Sequence, residues 1–150
     1  MSGRVEGGCL CGACRYVLDA SELPLAYACH CRDCQSQSGS AFALQAPVPD
    51  GRLSLTGAVT RWVRDKADGS ATTSVFCAAC LTRIHSFNDR RLGMSILRAG
   101  TLDRSDELAP SLHIWTRRRQ PWIALPAHVE AHEENAPADR VAAIFAPNFA

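Results

Sequence analysis

Cysteine supplies the residues in this chain best placed to do chemistry. There are eight in 150 residues, all in spacings that suit a metal ion, and Cys9-Leu10-Cys11-Gly12-Ala13-Cys14 has the same C-x-C-x-x-C spacing as Cys29 to Cys34. Cys77-Ala78-Ala79-Cys80 follows the apolar pair Val75-Phe76. A CxxC turn of this kind brings two sulfurs within about 2.3 Å of one zinc ion, with backbone N–H groups directed at the thiolates. Cys9-Leu10-Cys11 does something related in extended chain, where residues i and i+2 share one face. Neither pair binds zinc tightly by itself. Combined, Cys9, Cys11, Cys77 and Cys80 make a tetrahedral four-thiolate site that clips the amino-terminal region to the middle of the chain. Because such a site is unformed in the unfolded chain, its binding free energy becomes folding free energy.

The segment Cys29-His30-Cys31-Arg32-Asp33-Cys34 has a different character. It offers three sulfurs from one short stretch, and three ligands with an open fourth position is the signature of a catalytic zinc. A zinc ion with three thiolates carries a formal charge of −1, which weakens it as a Lewis acid. It still favours deprotonation of an incoming thiol, and so thiolate addition to an electrophilic carbon. Ligand counting alone permits other partitions. Cys14 can complete a closed site with Cys29, Cys31 and Cys34, making both zincs structural. The simpler reading makes Cys14 a small buried residue on the strand through Arg15 and Tyr16.

Extended elements must position these sulfurs. Residues 13–18, 42–48, Leu53–Thr56, 59–64, 72–76 and 96–99 are short, often β-branched or aromatic, and separated by turn residues such as Thr56-Gly57 and Asp68-Gly69. Residues 113–115 and 122–125 read as two further strands. The pattern predicts an all-β domain of mainly antiparallel sheets, with short helical turns around 31–38. The zinc domain is expected to span 1–126. The Ala- and Glu-containing tail, 127–150, reads as a surface helix or a frayed terminus.

Composition removes several function classes. Net charge is +1, from 16 basic and 15 acidic residues, so no field of one sign steers a nucleic acid or a membrane surface. The run Arg117-Arg118-Arg119 reads as a solvated edge. Residues 1–8 lack the apolar stretch of a signal peptide, and no segment has the roughly 18 consecutive apolar residues of a membrane span. The expected compartment is the reducing cytoplasm, where thiols are free for metals.

The histidines and tryptophans get quieter readings. His30, between two ligands, is expected to face solvent or support the ligands from outside. His85 and His113 read as hydrogen-bonded strand residues, and Trp62, Trp115 and Trp122 as core or sheet-packing residues. Ser38-Gly39-Ser40 reads as a turn whose N–H groups line a pocket or hydrogen-bond the thiolates.

In order along the chain, Gly7-Gly8-Cys9-Leu10-Cys11-Gly12 with Arg15-Tyr16, Cys29-His30-Cys31-Arg32-Asp33-Cys34 with Ser38-Gly39-Ser40-Ala41-Phe42, Phe76-Cys77-Ala78-Ala79-Cys80, and His113-Ile114-Trp115 with Pro121-Trp122 resemble the glutathione-dependent formaldehyde-activating enzyme family, the CENP-V/GFA domain. The resemblance covers roughly residues 7 to 122. It implies a β-tent of antiparallel sheets and two zinc ions: a structural one on Cys9, Cys11, Cys77 and Cys80, and a catalytic-type one on Cys29, Cys31 and Cys34. It also implies a carbon–sulfur lyase that joins glutathione and formaldehyde into S-hydroxymethylglutathione, with a small-molecule thiol and an aldehyde as partners and neither nucleic acid nor membrane.

Two departures stand out. Where such knuckles usually carry Gly after the second cysteine, this chain has Leu81, so the turn is strained or differently shaped. An apolar or aromatic run usually follows, whereas here Thr82-Arg83-Ile84-His85-Ser86 follows. Two further functional readings come from other classes. One is a non-catalytic zinc module for protein interaction, with both sites closed. The other is a nucleic-acid-binding zinc domain, which the near-zero charge opposes.

Overall fold

The computed structural model describes residues 3–150. Alternating or β-branched segments form eleven strands: β1 (Val5–Gly8), β2 (Arg15–Leu18), β3 (Ala26–Cys29), β4 (Ala43–Pro49), β5 (Leu53–Thr56), β6 (Val59–Asp65), β7 (Ala71–Cys77), β8 (Arg83–Asn88), β9 (Met94–Arg98), β10 (Pro110–Ile114) and β11 (Glu130–Ala131). Helix α1 (Arg32–Ser38) follows β3, and α2 (Ala138–Phe145) lies near the carboxyl end. The strands make a small sheet, β1-β2-β5, and a large one, β11-β10-β3-β4-β9-β8-β7-β6. Pairing is antiparallel except for β10, which runs parallel to both β3 and β11.

The core lies between the two sheets. Val5, Tyr16 and Leu18 from the small sheet pack with Ala26, Ala46, Val48, Ile84 and Leu97 from the large one, and Leu53 and Leu55 are packed against them. Two-residue periodicity then decides what the other face of the large sheet carries. Ala26 and Ala28 are buried on β3, so the alternate residues Tyr27 and Cys29 point to the opposite face. Tyr27 pairs with Gln45, and Gln45 with Arg98. Tyr27, Gln45 and Arg98 therefore form one cross-strand row beside Cys29 on the face away from the core. Phe145 of α2 covers that face at one end, 2% exposed, with its ring edge-to-face to Tyr27 at 5.7 Å.

Several sequence expectations need correction. Residues 122–125 form no strand, and Trp122 is 73% exposed with its indole N–H donated to Gln120 at 2.7 Å. Pro121 lacks a backbone N–H, and Ile123 N–H closes a turn onto Gln120 O at 3.0 Å instead of joining a ladder. Trp62 is also half exposed. β1, β3 and β8 carry weak strand signals: β1 ends in Gly7-Gly8, β3 includes Ala26 and Ala28, and β8 mixes charged and polar residues. Each is a strand because a partner strand satisfies its backbone.

Gly7 matters to the approach of the small sheet. A Cβ there would sit 2.3 Å from the Tyr16 hydroxyl oxygen and 2.5 Å from the Thr101 carbonyl, and the Tyr16 and Thr101 hydroxyls hydrogen-bond at 2.9 Å. Gly7→Ala must displace that buried tyrosine. The expected cost is about 2 kcal/mol of stability, within the range for overpacking, read as a lowered urea midpoint at unchanged slope; an unchanged midpoint would show that Tyr16 yields freely.

Candidate metal centres and the cleft between them

The first centre joins two turns. β1 ends just before Cys9, and the chain reverses into β2 through a turn closed by Gly12 N–H to Cys9 O (3.2 Å) and Cys9 N–H to Cys14 O (3.0 Å), with Gly12 at φ 80°. Cys9 and Cys11 therefore meet through this turn and not through the pleat of a strand, as their spacing alone suggests. The other half is the knuckle at the end of β7, held by Leu81 N–H to Cys77 O (3.0 Å) and Cys77 N–H to Thr82 O (2.9 Å). Leu81 takes φ 62°. The knuckle keeps its usual shape, and the residue in the glycine position is strained.

The sulfurs of Cys9, Cys11, Cys77 and Cys80 all lie within 4.8 Å of one another. Cys9 Sγ to Cys11 Sγ is 3.6 Å and Cys11 Sγ to Cys77 Sγ is 3.8 Å. Tetrahedral zinc with bonds of about 2.3 Å spaces its sulfurs by about 3.8 Å, so the donor set fits. N–H groups of Cys14 and Ala79 donate to Cys9 Sγ (3.2 Å) and Cys77 Sγ (3.4 Å), as thiolates require. The Thr82 hydroxyl, 3.2 Å from Cys80 Sγ, helps bring that thiol down to about 5.

Cys14 belongs to neither set of sulfurs. It is fully buried, its thiol donates to Ala58 O at 3.2 Å, and burial pushes its pKa up to about 11. Its place is beside the first centre and not beside Cys29, Cys31 and Cys34.

The second centre gathers Cys29 at the end of β3, Cys31 as the N-cap of α1 and Cys34 in its first turn. Their sulfurs lie within 4.8 Å of one another, and among the described residues no other His, Cys, Asp or Glu ligand atom joins them. Cys34 N–H donates to Cys31 Sγ at 3.3 Å. Hydrogen bonds from Cys29, then Cys34, hold the Cys31 thiol far below its ordinary value, while the same contacts push Cys29 up. Three sulfurs this close become thiolates together only around a cation, and the set fits a three-thiolate zinc site.

The surroundings of this centre escaped the sequence reading. Gln45, 8% exposed, directs its amide N–H group at Cys34 Sγ (3.9 Å) and the Tyr27 hydroxyl (3.4 Å). A cleft of about 380 Å³ is walled by Gln37 and Ser38 of α1, Trp62, Phe76, the Leu81 turn, Arg83 and Gln45's ladder neighbour Arg98, while Gln45 and the three sulfurs themselves lie outside its lining. The cleft thus runs between the knuckle of the first centre and the helix that carries Cys34. On the other side of Tyr27, an apolar cavity of about 720 Å³ lies between the sheet and α2. Nothing in a single sequence marks Gln45 or Arg98, because their role comes from the β3-β4-β9 register.

His85 and His113 lie in strands β8 and β10 as expected, while His30 takes another position. His30 is fully buried, not solvent-facing, and its Nε2 meets His113 Nδ1 at 2.9 Å. Burial, then His113, lowers its pKa to about 4, so the pair is neutral. His30 Nδ1, His113 Nε2 and His85 Nδ1 are buried without partners, and no histidine joins either sulfur set. Ser38-Gly39-Ser40 is a helix cap: Gly39 (φ 66°) donates N–H to Gln35 O at 2.8 Å, and Ser40 N–H donates to Ser38 Oγ.

Two outcomes are expected. Leu81→Gly removes left-handed strain, while Leu81 is already 64% exposed, so zinc-loaded protein gains about 1 kcal/mol in urea titration; a loss would mean that the side chain contributes packing. Metal analysis is expected to find two zinc ions per chain, falling to one in Cys31→Ser, while Cys77→Ser loses the folded state; a single zinc in the native protein would contradict the second centre.

The sequence profile described as glutathione-dependent formaldehyde-activating enzyme matches residues 4–118. No curated protein sequence matches the chain. Among solved structures, a crystal structure of a Rhodobacter sphaeroides protein is similar in fold, with a TM-score of 0.53 at 18% identity, covering 70% of this chain and 97% of the other. With the profile spanning most of the chain, the protein belongs to the glutathione-dependent formaldehyde-activating enzyme family.

Proposed function

We propose that this protein is a zinc-dependent carbon–sulfur lyase that joins a thiol of the glutathione type to formaldehyde or a related aldehyde at Cys29, Cys31 and Cys34. The observation that carries this reading is the gathering of three sulfurs with no fourth protein ligand among the described residues, at the start of the helix whose later residues Gln37 and Ser38 line an open cleft. In this assignment Cys9, Cys11, Cys77 and Cys80 hold the structural ion, and the site is that of a small-molecule enzyme working in the reducing cytoplasm. Zinc bound by three thiolates supplies acidification of an incoming thiol at neutral pH.

The chain's own residues bind and orient. Cys31 and Cys34 are held by the first turn of α1, with Cys34 N–H on Cys31 Sγ. The buried Gln45 amide is a neutral donor facing sulfur. Burial raises the Tyr27 hydroxyl above its ordinary pKa, so it stays protonated at neutral pH. Trp62, Phe76 and Leu81 give the cleft an apolar wall that sheds water from a bound thiol. In the overall reaction the thiol sulfur bonds to the carbonyl carbon, the carbonyl π pair moves to oxygen, and the proton lost by the thiol ends on that oxygen. The lyase direction is the reverse.

The non-catalytic reading needs a protein side chain as fourth ligand. Cys14 lies by the other centre and His30 is engaged with His113, so neither is in position. No helix among the described residues is long and apolar enough to cross a membrane.

The test is turnover by zinc-loaded protein with glutathione and formaldehyde, following the S-hydroxymethyl adduct by carbon NMR exchange. Native protein is expected to speed adduct exchange well beyond the uncatalysed rate, and Cys31→Ser to return it to that rate. Full activity in Cys31→Ser would remove the mechanism.

A further inference from the structure

Arg83 and Arg98 both line the cleft, each half-buried, and neither has a carboxylate partner among the described residues. Every other close ion pair of the described residues uses a different cation: Arg4 and Arg15 with Glu6, Arg15 with Asp103, Arg64 with Asp33, Arg104 with Glu107, Arg117 with Glu134, and Arg140 and His132 with Glu130. Arg83 is held by neutral groups only, donating to Gln37 Oε1 and to Ser86 Oγ (2.9 Å). Arg98 makes no side-chain hydrogen bond among the described residues, although its neighbour in the β4–β9 ladder is Gln45, which faces Cys34. Burial lowers the pKa of both, and their mutual repulsion lowers Arg83 further, to about 10. The opposing charge within the chain is the sulfur cluster at Cys34 and Cys29, and a zinc ion on three thiolates, formally −1, balances one of these two half-buried cations and leaves the other for an anion.

We propose that Arg83 and Arg98 form a carboxylate-binding subsite that selects an anionic thiol and aims its sulfur at Cys29, Cys31 and Cys34. Guanidinium suits this task because its planar N–H fork meets a carboxylate with two parallel hydrogen bonds. Arg83 is fixed by Gln37 and Ser86, and so presents its fork in one orientation. Arg98 has donors unspent within the chain. The cleft has room for a short anionic thiol, and Trp62, Phe76 and Leu81 line it with apolar surface beside the two arginines. The subsite rests on the thiol reading above, which the experiment separates from it.

The experiment is calorimetric titration of zinc-loaded protein with 3-mercaptopropionate and with 2-mercaptoethanol, thiols of similar size of which only the first carries a carboxylate. Native protein is expected to bind 3-mercaptopropionate roughly tenfold or more tightly, in line with a charge-assisted bidentate contact. Arg98→Met and Arg83→Met are expected to bring the two affinities within about twofold while both zinc ions are kept, and Arg98→Lys to restore part of the preference. Two results overturn the subsite: equal binding of the two thiols by native protein, or an equal loss of both in the arginine variants, which would assign the guanidiniums to balancing thiolate charge alone. If neither thiol binds, the thiol chemistry itself falls, and the subsite with it.

Discussion

The structure depends on sulfurs brought into contact from distant parts of the chain. Cys11 and Cys77, 66 residues apart, stand 3.8 Å from each other, with Cys9 and Cys80 completing the group. Thiolates at that separation repel unless a cation lies among them, so the four sulfurs form a site that could hold a metal ion. The consequence is mechanical. The turn between β1 and β2 belongs to the small sheet and the knuckle after β7 to the large one, so the centre bolts the two sheets together at one end of their shared core. The left-handed Leu81 is tolerated there because the ladder and the sulfurs over-determine the turn.

The second set of sulfurs sits in a different environment. Cys29, Cys31 and Cys34 lie where a strand passes into a helix, so their separation is set locally and needs no distant partner. What is not local is the company they keep. The pleat of the large sheet turns Tyr27, Gln45 and Arg98 to the same face as Cys29, and the turn that ends the first centre supplies Leu81 and Thr82 to the cleft wall. The knuckle of the first centre and the helix that carries Cys34 thus face one small cleft from opposite sides.

Charge gives that volume its character. The surface as a whole is balanced, and most ion pairs are exposed and worth well under about 1 kcal/mol each. Arg83 and Arg98 break the pattern by being half-buried without a carboxylate partner among the described residues, on a face that already concentrates thiols. A cleft with apolar, cationic and sulfur-bearing walls is more selective than the sulfurs alone.

The sequence by itself determined the ligand types and their grouping. CxxC and CxC spacings are local geometry, and they group the cysteines as a metal site would need them. Strands with strong β-branched or aromatic signals, such as Leu53–Thr56 and the pair at 59–64 and 72–76, were legible for the same reason: short-range periodicity is written in adjacent residues. The tertiary structure alone decided the rest. Which side of the molecule Cys14 occupies, that His30 turns inward onto His113, and that 122–125 stays irregular each depend on partners remote in the chain. The same holds for Gln45 and Arg98, ordinary polar residues until strand register sets them beside a sulfur. Register depends on pairing across the whole sheet, and a shift of one residue would turn both to the other face.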